Sequence, residues 1–166
     1  MKISQEKEND KWEVEALFDL CFAPGREALS SYRLREKAEK VTELCSVVRD
    51  QSGLLAAAIR FWPVKIYTNK ALLLGPIAVH PTFQGEGLGA MLICESLDMA
   101  ASNSSHWQRV LLVGDQSYFG RFGFFPLKRV FMPPPTNPMR ILGRNLIENA
   151  WNGVEGVVKS EVEMPG

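Results

Sequence analysis

The chain is short of the residues that mark several common protein classes. Its 166 residues include three cysteines, Cys21, Cys45 and Cys94. They are odd in number, far apart and form no CxxC pair, which argues against a disulfide framework and against a zinc site. The two histidines, His80 and His106, form no HxxxH pair, so no metal is expected. Neither sign of charge is in excess: 19 Lys and Arg face 19 Asp and Glu. Nonspecific nucleic-acid binding needs a surplus of cations to neutralise phosphates, and docking on an anionic membrane needs the same. No apolar run reaches the about 20 residues of a membrane span. The opening MKISQEKEND has no apolar segment of the signal-peptide kind, so a cytoplasmic protein is expected. There is no internal repeat and no long linker, which leaves one domain over residues 1–166. With 46% hydrophobic and 23% charged residues, wholesale disorder is excluded.

What is present reads as alternating helices and strands. Trp12 to Phe22 has Trp12, Ala16, Leu17 and Leu20 at helical spacing, with Asn9 or Asp10 as a cap, and Pro24-Gly25 breaks it. A polar-faced helix follows from about Glu27 to Lys40. Leu44 to Arg49, the turn Asp50-Gln51-Ser52-Gly53 and Leu54 to Val64 read as a β-hairpin. Ala71 to Val79 is the most apolar strand. Gly75-Pro76 inside it removes a ladder donor, so a bulge or a splay is expected there. The next helix has Ala90, Ile93, Cys94, Leu97 and Ala101 on one stripe, which places Cys94 in the core. Val110 to Val113 is a buried strand, and Gln116 to Phe122 a short helix with Gly123 just past its end. Met132 to Pro138 holds four prolines and must be a stiff loop. Two strands near Arg140–Ile147 and Val154–Glu163 complete a mixed sheet flanked by helices, an α+β arrangement with one β-α-β crossover.

The informative stretch is Gly75-Pro-Ile-Ala-Val-His-Pro-Thr-Phe-Gln-Gly-Glu-Gly-Leu-Gly-Ala90, a strand running through a glycine turn into a helix. Such a turn lets the backbone approach a ligand, and the free N–H groups of the helix start favour an anion. A phosphate-binding Walker loop would need GK[ST], whereas Gly89 is followed by Ala90-Met91. The dinucleotide fingerprint GxGxxG is not met either, because Gly85, Gly87 and Gly89 are spaced GxGxG. Read plainly, the stretch is one more strand-to-helix turn.

The wider pattern goes further. Gln84-x-x-Gly87-x-Gly89, after an apolar strand ending in Val-x-Pro, resembles the acetyl-CoA signature of the GNAT superfamily of N-acetyltransferases. Downstream, Val113-Gly114-Asp115 and Tyr118-Phe119-Gly120-Arg121-Phe122-Gly123-Phe124 resemble the closing motif of a bacterial subgroup of acetyltransferases. The resemblance covers about Leu44 to Pro126. It implies a central, mostly antiparallel mixed sheet with a splayed strand, and an enzyme that moves acetyl from acetyl-CoA directly to a primary amine. It implies that Ile77, Ala78 and Val79 offer main-chain groups to the pantetheine arm and the acetyl carbonyl. It implies that Gln84, Gly85, Glu86, Gly87, Leu88, Gly89 and Ala90 hold the pyrophosphate, with Phe119 and Arg121 nearby.

Two positions depart from the family pattern. The usual general acid is a tyrosine five residues before the Phe of the Gly-Phe pair, and here that position is Phe119. Tyr118 is its neighbour, about 100° around a helix, and is the substitute candidate. Glu86 stands where many relatives carry a cation beside the phosphates. Candidate bases are His80, with a reference pKa suited to the task, Asp115, and the more distant Glu36 and Glu43. His80 reads equally as a turn residue and Asp115 as a helix cap. Two alternatives to an enzyme stay open: a domain that binds CoA or acyl-CoA with weak or no catalysis, favoured by Phe119, and a fold-only partner, favoured by Glu86. The acceptor, a small-molecule or peptide amine, has no readable motif, and edge strands near the C-terminus leave a homodimer open.

Overall fold

The computed structural model describes residues 1–22, 32, 34–36, 38–103 and 105–161. The described strands are β1 (Lys2–Gln5), β2 (Ser46–Arg49), β3 (Leu55–Ile66), β4 (Asn69–Val79), β5 (Arg109–Val113), β6 (Phe125–Pro126), β7 (Val130–Phe131), β8 (Ile141–Asn145) and β9 (Gly156–Ser160). The helices described over their full length are α1 (Lys11–Phe22), α2 (Leu88–Ser102) and the single turn α3 (Gln116–Phe119). The strands form one sheet in the order β1-β2-β3-β4-β5-β8-β6, with β9 pairing both β3 and β7. β4 and β5 run parallel at its centre, and the pairs flanking them are antiparallel. The expected mixed sheet with one crossover is what the chain adopts.

Local chemistry explains the pairing. The β2–β3 turn is held by Asp50, whose Oδ1 accepts from the N–H groups of Ser52 and Leu54, both at 2.9 Å. Gly53 there takes φ +89°, a conformation costly for other residues. The strand expected from Ala71 extends back to Asn69. Its bulge is where the proline places it: Ile59 faces Ile77 but Phe61 faces Leu74, so β4 carries one extra residue at Gly75-Pro76. That residue reverses the alternation. Leu72 and Leu74 face α2 before the bulge, and Ile77 and Val79 face it afterwards.

The sheet is covered on both faces. α2 lays Leu92, Ile93, Leu97 and Ala100 on one, against Ala57, Ile59, Phe61, Leu72, Val110 and Leu112. α1 lays Val14, Leu17 and Phe18 on the other, against Val47, Ala58 and Ala78.

Several expectations change. The buried stripe of α1 is not Trp12, Ala16 and Leu20: Trp12 is 80% exposed and Leu20 57%. Val14 and Phe18 supply the core face, because Leu17 is shared by two adjacent stripes and the sheet selects the other one. On α2 the stripe is rotated likewise, and Cys94 is exposed while Ser96 is buried. The edge strand β1 falls in the opening read as merely polar. It pairs with β2 through its backbone and has no buried residue of its own to show in a hydropathy pattern. Half of the helix expected from Glu27 to Lys40 lies outside the described residues; of the rest, Tyr32 is helical, whereas residues 34–36 form a turn and 38–40 are not helical.

β1 also contributes Glu6, just past its end, to a buried ion cluster. Arg60 on β3 donates from Nε to Glu6 Oε1 at 3.0 Å and from Nη2 to Glu6 Oε2 at 2.9 Å. Its Nη1 donates to Glu15 of α1 at 2.6 Å. The pair ties the sheet edge to the helix above it.

Candidate active site

β4 and β5 pair only at Leu72–Val110 and Leu73–Leu111. Beyond those residues, where β4 carries its bulge, the pairing stops. The gap is a hollow of about 330 Å³, lined by Leu73 to Ile77 on one side and Leu112 to Asp115 on the other. Phe22, Arg35, Tyr118, Phe119 and Arg140 complete its described wall.

The backbone of the splayed strand can be read from the ladder. His80 N–H bonds to Ala56 C=O at 2.8 Å, directly across the register. Hydrogen-bonded and non-bonded pairs alternate in an antiparallel ladder, so Ala78 spends its main-chain groups on Ala58. Those of Ile77 and Val79 turn the other way, toward the gap. This narrows the three expected residues to two. The Val79 carbonyl already accepts a thiol contact from Cys21 at 3.6 Å and a bond from Gln84 Nε2 at 3.3 Å. Its N–H faces the gap.

A second hollow, of about 320 Å³, lies over the glycine turn. Gln84, Gly85, Gly87, Leu88, Gly89 and Ala90 line it with Val79, Phe83, Tyr118 and Arg121. Gly85 and Gly87 have φ of +88° and +80°, with open space where a side chain would be. Gly87 is also the N-cap of α2 and has no side chain to cap with. The first internal bond of the helix is Met91 N–H to Gly87 C=O. The N–H groups of Leu88, Gly89 and Ala90 are therefore the orphan donors of the first turn, aligned with the positive end of the helix dipole. Arg121 adds a cation, its Cζ 4.3 Å from the centre of the Tyr118 ring. Glu86 is exposed at the tip of the turn.

Tyr118 is the one described residue that lines both hollows. Its hydroxyl is 3.5 Å from the point where a β-carbon on Gly89 would sit. Phe119 instead packs inward: a β-carbon on Gly114 would meet its ring at 2.5 Å, so glycine is required for the ring to lie against the backbone. The neighbouring tyrosine, not the expected position, thus brings a hydroxyl to the junction.

The candidate bases separate. Asp115 lies in the wall of the splay and at the N-cap of α3. Its side chain makes no capping bond; it pairs with Arg140, Oδ1 to Nε at 3.3 Å. His80 lines neither hollow, and its Nδ1 accepts from Thr82 N–H at 3.1 Å. Glu36 and Glu43 are exposed and line neither. Arg35, Arg140 and Phe22 escaped the sequence reading because each arrives from a segment remote from the motifs. Arg140 had one signal, Asn137-Pro138. Asn137 accepts from Met139 N–H at 3.0 Å and starts the helical turn Pro138–Arg140 that ends the proline-rich loop at the cavity.

The model of the Acetyltransferase (GNAT) family matches residues 11–124, about two thirds of the chain and all of the elements just described up to Phe124. The chain belongs to the GNAT acetyltransferase family. Among curated relatives, the uncharacterized N-acetyltransferase YhbS of Escherichia coli strain K12 is 28% identical over 152 residues, 88% of this chain and 87% of YhbS. The crystal structure of E. coli YhbS in complex with CoA superposes with a TM-score of 0.81, at 26% identity, covering 96% of this chain and 89% of that one. A GNAT acetyltransferase from Brucella melitensis, crystallised with acetyl-CoA, gives 0.58 at 27% identity over 91% of this chain and 97% of that one. The GNAT fold accounts for the splay between β4 and β5 and for the glycine turn at the start of α2. Among the described residues, no helix is long and apolar enough to cross a membrane.

Proposed function

We propose that this GNAT enzyme, acting as one unit over residues 1–166, transfers the acetyl group of acetyl-CoA directly to a primary amine. The observation that carries the reading is the meeting of the two hollows at Tyr118, an anion-binding helix start on one side and a splayed strand with free backbone groups on the other. The residues present fit the co-substrate. The orphan N–H groups of Leu88, Gly89 and Ala90 suit a pyrophosphate, and the open space at Gly85 and Gly87 lets it approach the backbone. The CoA and acetyl-CoA complexes of the two similar proteins support the same choice.

Bound acetyl-CoA supplies a thioester whose carbonyl carbon accepts an amine lone pair and whose sulfur leaves with the bonding electrons. The chain's own groups do the rest. Ile77 and Val79 orient the arm through their main-chain groups, and the Val79 N–H serves as the oxyanion-type donor. Asp115 takes the proton that an ammonium must lose before it can attack, since a lysine-like amine has a reference pKa of about 10.4. Tyr118 supplies a proton toward the sulfur and is restored from solvent. A thiol pKa of about 8.5 makes the thiolate a tolerable leaving group, so this acid matters less than the base. His80 is read as a cap of its turn.

The test is calorimetric titration with acetyl-CoA beside a Gly87→Trp variant that fills the turn. Micromolar binding lost in the variant is the expected result. A wild type that binds no acetyl-CoA at millimolar concentration overturns the proposal.

A further inference from the structure

Resting on the acetyl-transfer reading, we infer that the acceptor is a free α-amino acid with an apolar side chain, held as its zwitterion by Asp115 and Arg140. Three observations lead there.

The first is the lining of the splay. Leu73, Leu74, Pro76, Ile77, Leu112 and Val113 make most of the described wall apolar. At about 330 Å³ it sits near the lower end of the range for small-molecule sites, with room for one compact acceptor beside the acetyl end of the donor.

The second is charge. Among the described lining residues Asp115 is the only acid, and it stands beside Arg140. A polyamine or an aminoglycoside carries several ammonium groups and needs several carboxylates. The described wall offers one, and Arg140 beside it suits a ligand that brings a carboxylate of its own.

The third is the Asp115–Arg140 pair. Its atoms are 3.3 Å apart and its side chains are 70% and 48% exposed, so it is weakly held and readily exchanged. An α-amino acid carries an ammonium and a carboxylate on one carbon, the same opposite charges side by side. Asp115 then takes the ammonium, Arg140 takes the carboxylate in the two-pronged fashion of guanidinium, and the side chain goes to the apolar wall. A peptide N-terminus presents the ammonium without that carboxylate. In the transfer, the ammonium gives one proton to Asp115, the amine adds to the thioester carbon, and the C–S bond breaks as the adduct collapses. The sulfur takes a proton from Tyr118, which solvent restores, and the second nitrogen proton and the one on Asp115 leave to solvent. The products are the N-acetyl amino acid and CoA thiol.

The experiment follows thiol release at saturating acetyl-CoA with matched acceptors: L-phenylalanine, L-phenylalaninamide and phenethylamine, and the leucine series. Spermidine, an aminoglycoside and a lysine-containing peptide are the comparators. The expected result is a kcat/KM for the free amino acids at least about tenfold above their amides and decarboxylated amines. In Arg140→Ala the KM for L-phenylalanine rises about tenfold with a smaller change in kcat, the advantage over phenethylamine collapses, and Arg140→Lys recovers part of it. Calorimetry with CoA on each variant confirms a folded donor site. Equal or better use of the amides, preference for spermidine, the aminoglycoside or the peptide, no turnover of any amino acid, or an unchanged KM in Arg140→Ala overturns the inference and leaves the acetyl-transfer reading standing. Failure of the wild type to bind acetyl-CoA removes both.

Discussion

A β-carbon placed on Gly89 would lie 3.5 Å from the Tyr118 hydroxyl and 3.6 Å from Val79 Cγ2. The first turn of α2, the end of the splayed strand and the tyrosine of α3 therefore converge on one point. On the proposed reading, a donor held over the glycine turn passes beneath that hydroxyl on its way to the gap between β4 and β5. This convergence turns three separate motifs into one site.

Tyr118→Phe removes the hydroxyl and keeps the ring beneath Arg121. A positioned acid contributes about 10²–10⁴-fold, and the good leaving group puts this one at or below the lower end. We expect kcat to fall about tenfold to a hundredfold with CoA affinity little changed. Steady-state kinetics and calorimetry on the same preparation check both halves. Phe119→Tyr should not raise the rate, because that ring is packed against Gly114 rather than held at the junction.

Glu86 places a carboxylate at the tip of a turn that is otherwise built for an anion. Replacing it with Gln or Arg should tighten CoA binding, Arg more than Gln. Because the residue is exposed, salt screens the interaction, with a Debye length of about 10 Å at 0.1 M. The gain should shrink as ionic strength rises, and titrations at two salt concentrations decide it. A gain that is independent of salt would contradict the electrostatic account.

Glu6 and Arg60 are 2% and 4% exposed. Glu6→Ala strands the guanidinium in the interior with Glu15 as its other carboxylate partner. Removing one member of a buried pair costs about 3–5 kcal/mol, and Glu15 should hold this one to the lower part of that range. Urea unfolding of the variant measures it. A loss below about 1 kcal/mol, as for a surface pair, would mean that the cluster is solvated.

The three cysteines should react unequally. Burial pushes the Cys45 thiol up to about 12, outweighing the Phe61 backbone bond that favours its thiolate. Cys21 is raised by burial as well. Cys94 is exposed on the outer face of α2. A thiol reagent on the native protein should label Cys94 first and reach Cys45 only after unfolding. Peptide mapping after timed labelling gives the order, and early modification of Cys45 would refute it.

Much of the fold was legible because it depends on local chemistry. Asp50 with Gly53 makes the first hairpin turn from its own side chain and backbone, so four adjacent residues suffice to read it. Gly75-Pro76 cannot sit in a regular ladder, so the bulge and the splay follow from two residues. Gly85 and Gly87 permit the positive φ that the turn takes, at little steric cost. The donor half of the site was therefore visible as a motif. The faces of α1 and α2 were not. Trp12 and Leu20, or Val14 and Phe18, could each serve as an apolar stripe, and only the sheet against which the helix packs chooses between them.

Local chemistry set the succession of elements from β2 to α3, the glycine turn, the interrupted strand and the closing motif, because turn geometry and periodicity act over a few residues; the strands β1, β6 and β7 carry no such local signal. Tertiary structure alone decided that Tyr118 rather than Phe119 meets the turn, that Ala78 spends its backbone on Ala58, and that Glu6 finds Arg60 54 positions away. It also decided that a proline-rich loop delivers Arg140 beside Asp115. These are relations between segments far apart in the chain. They depend on register, on which face is buried and on where a loop returns, and none of those is written in any short stretch of residues.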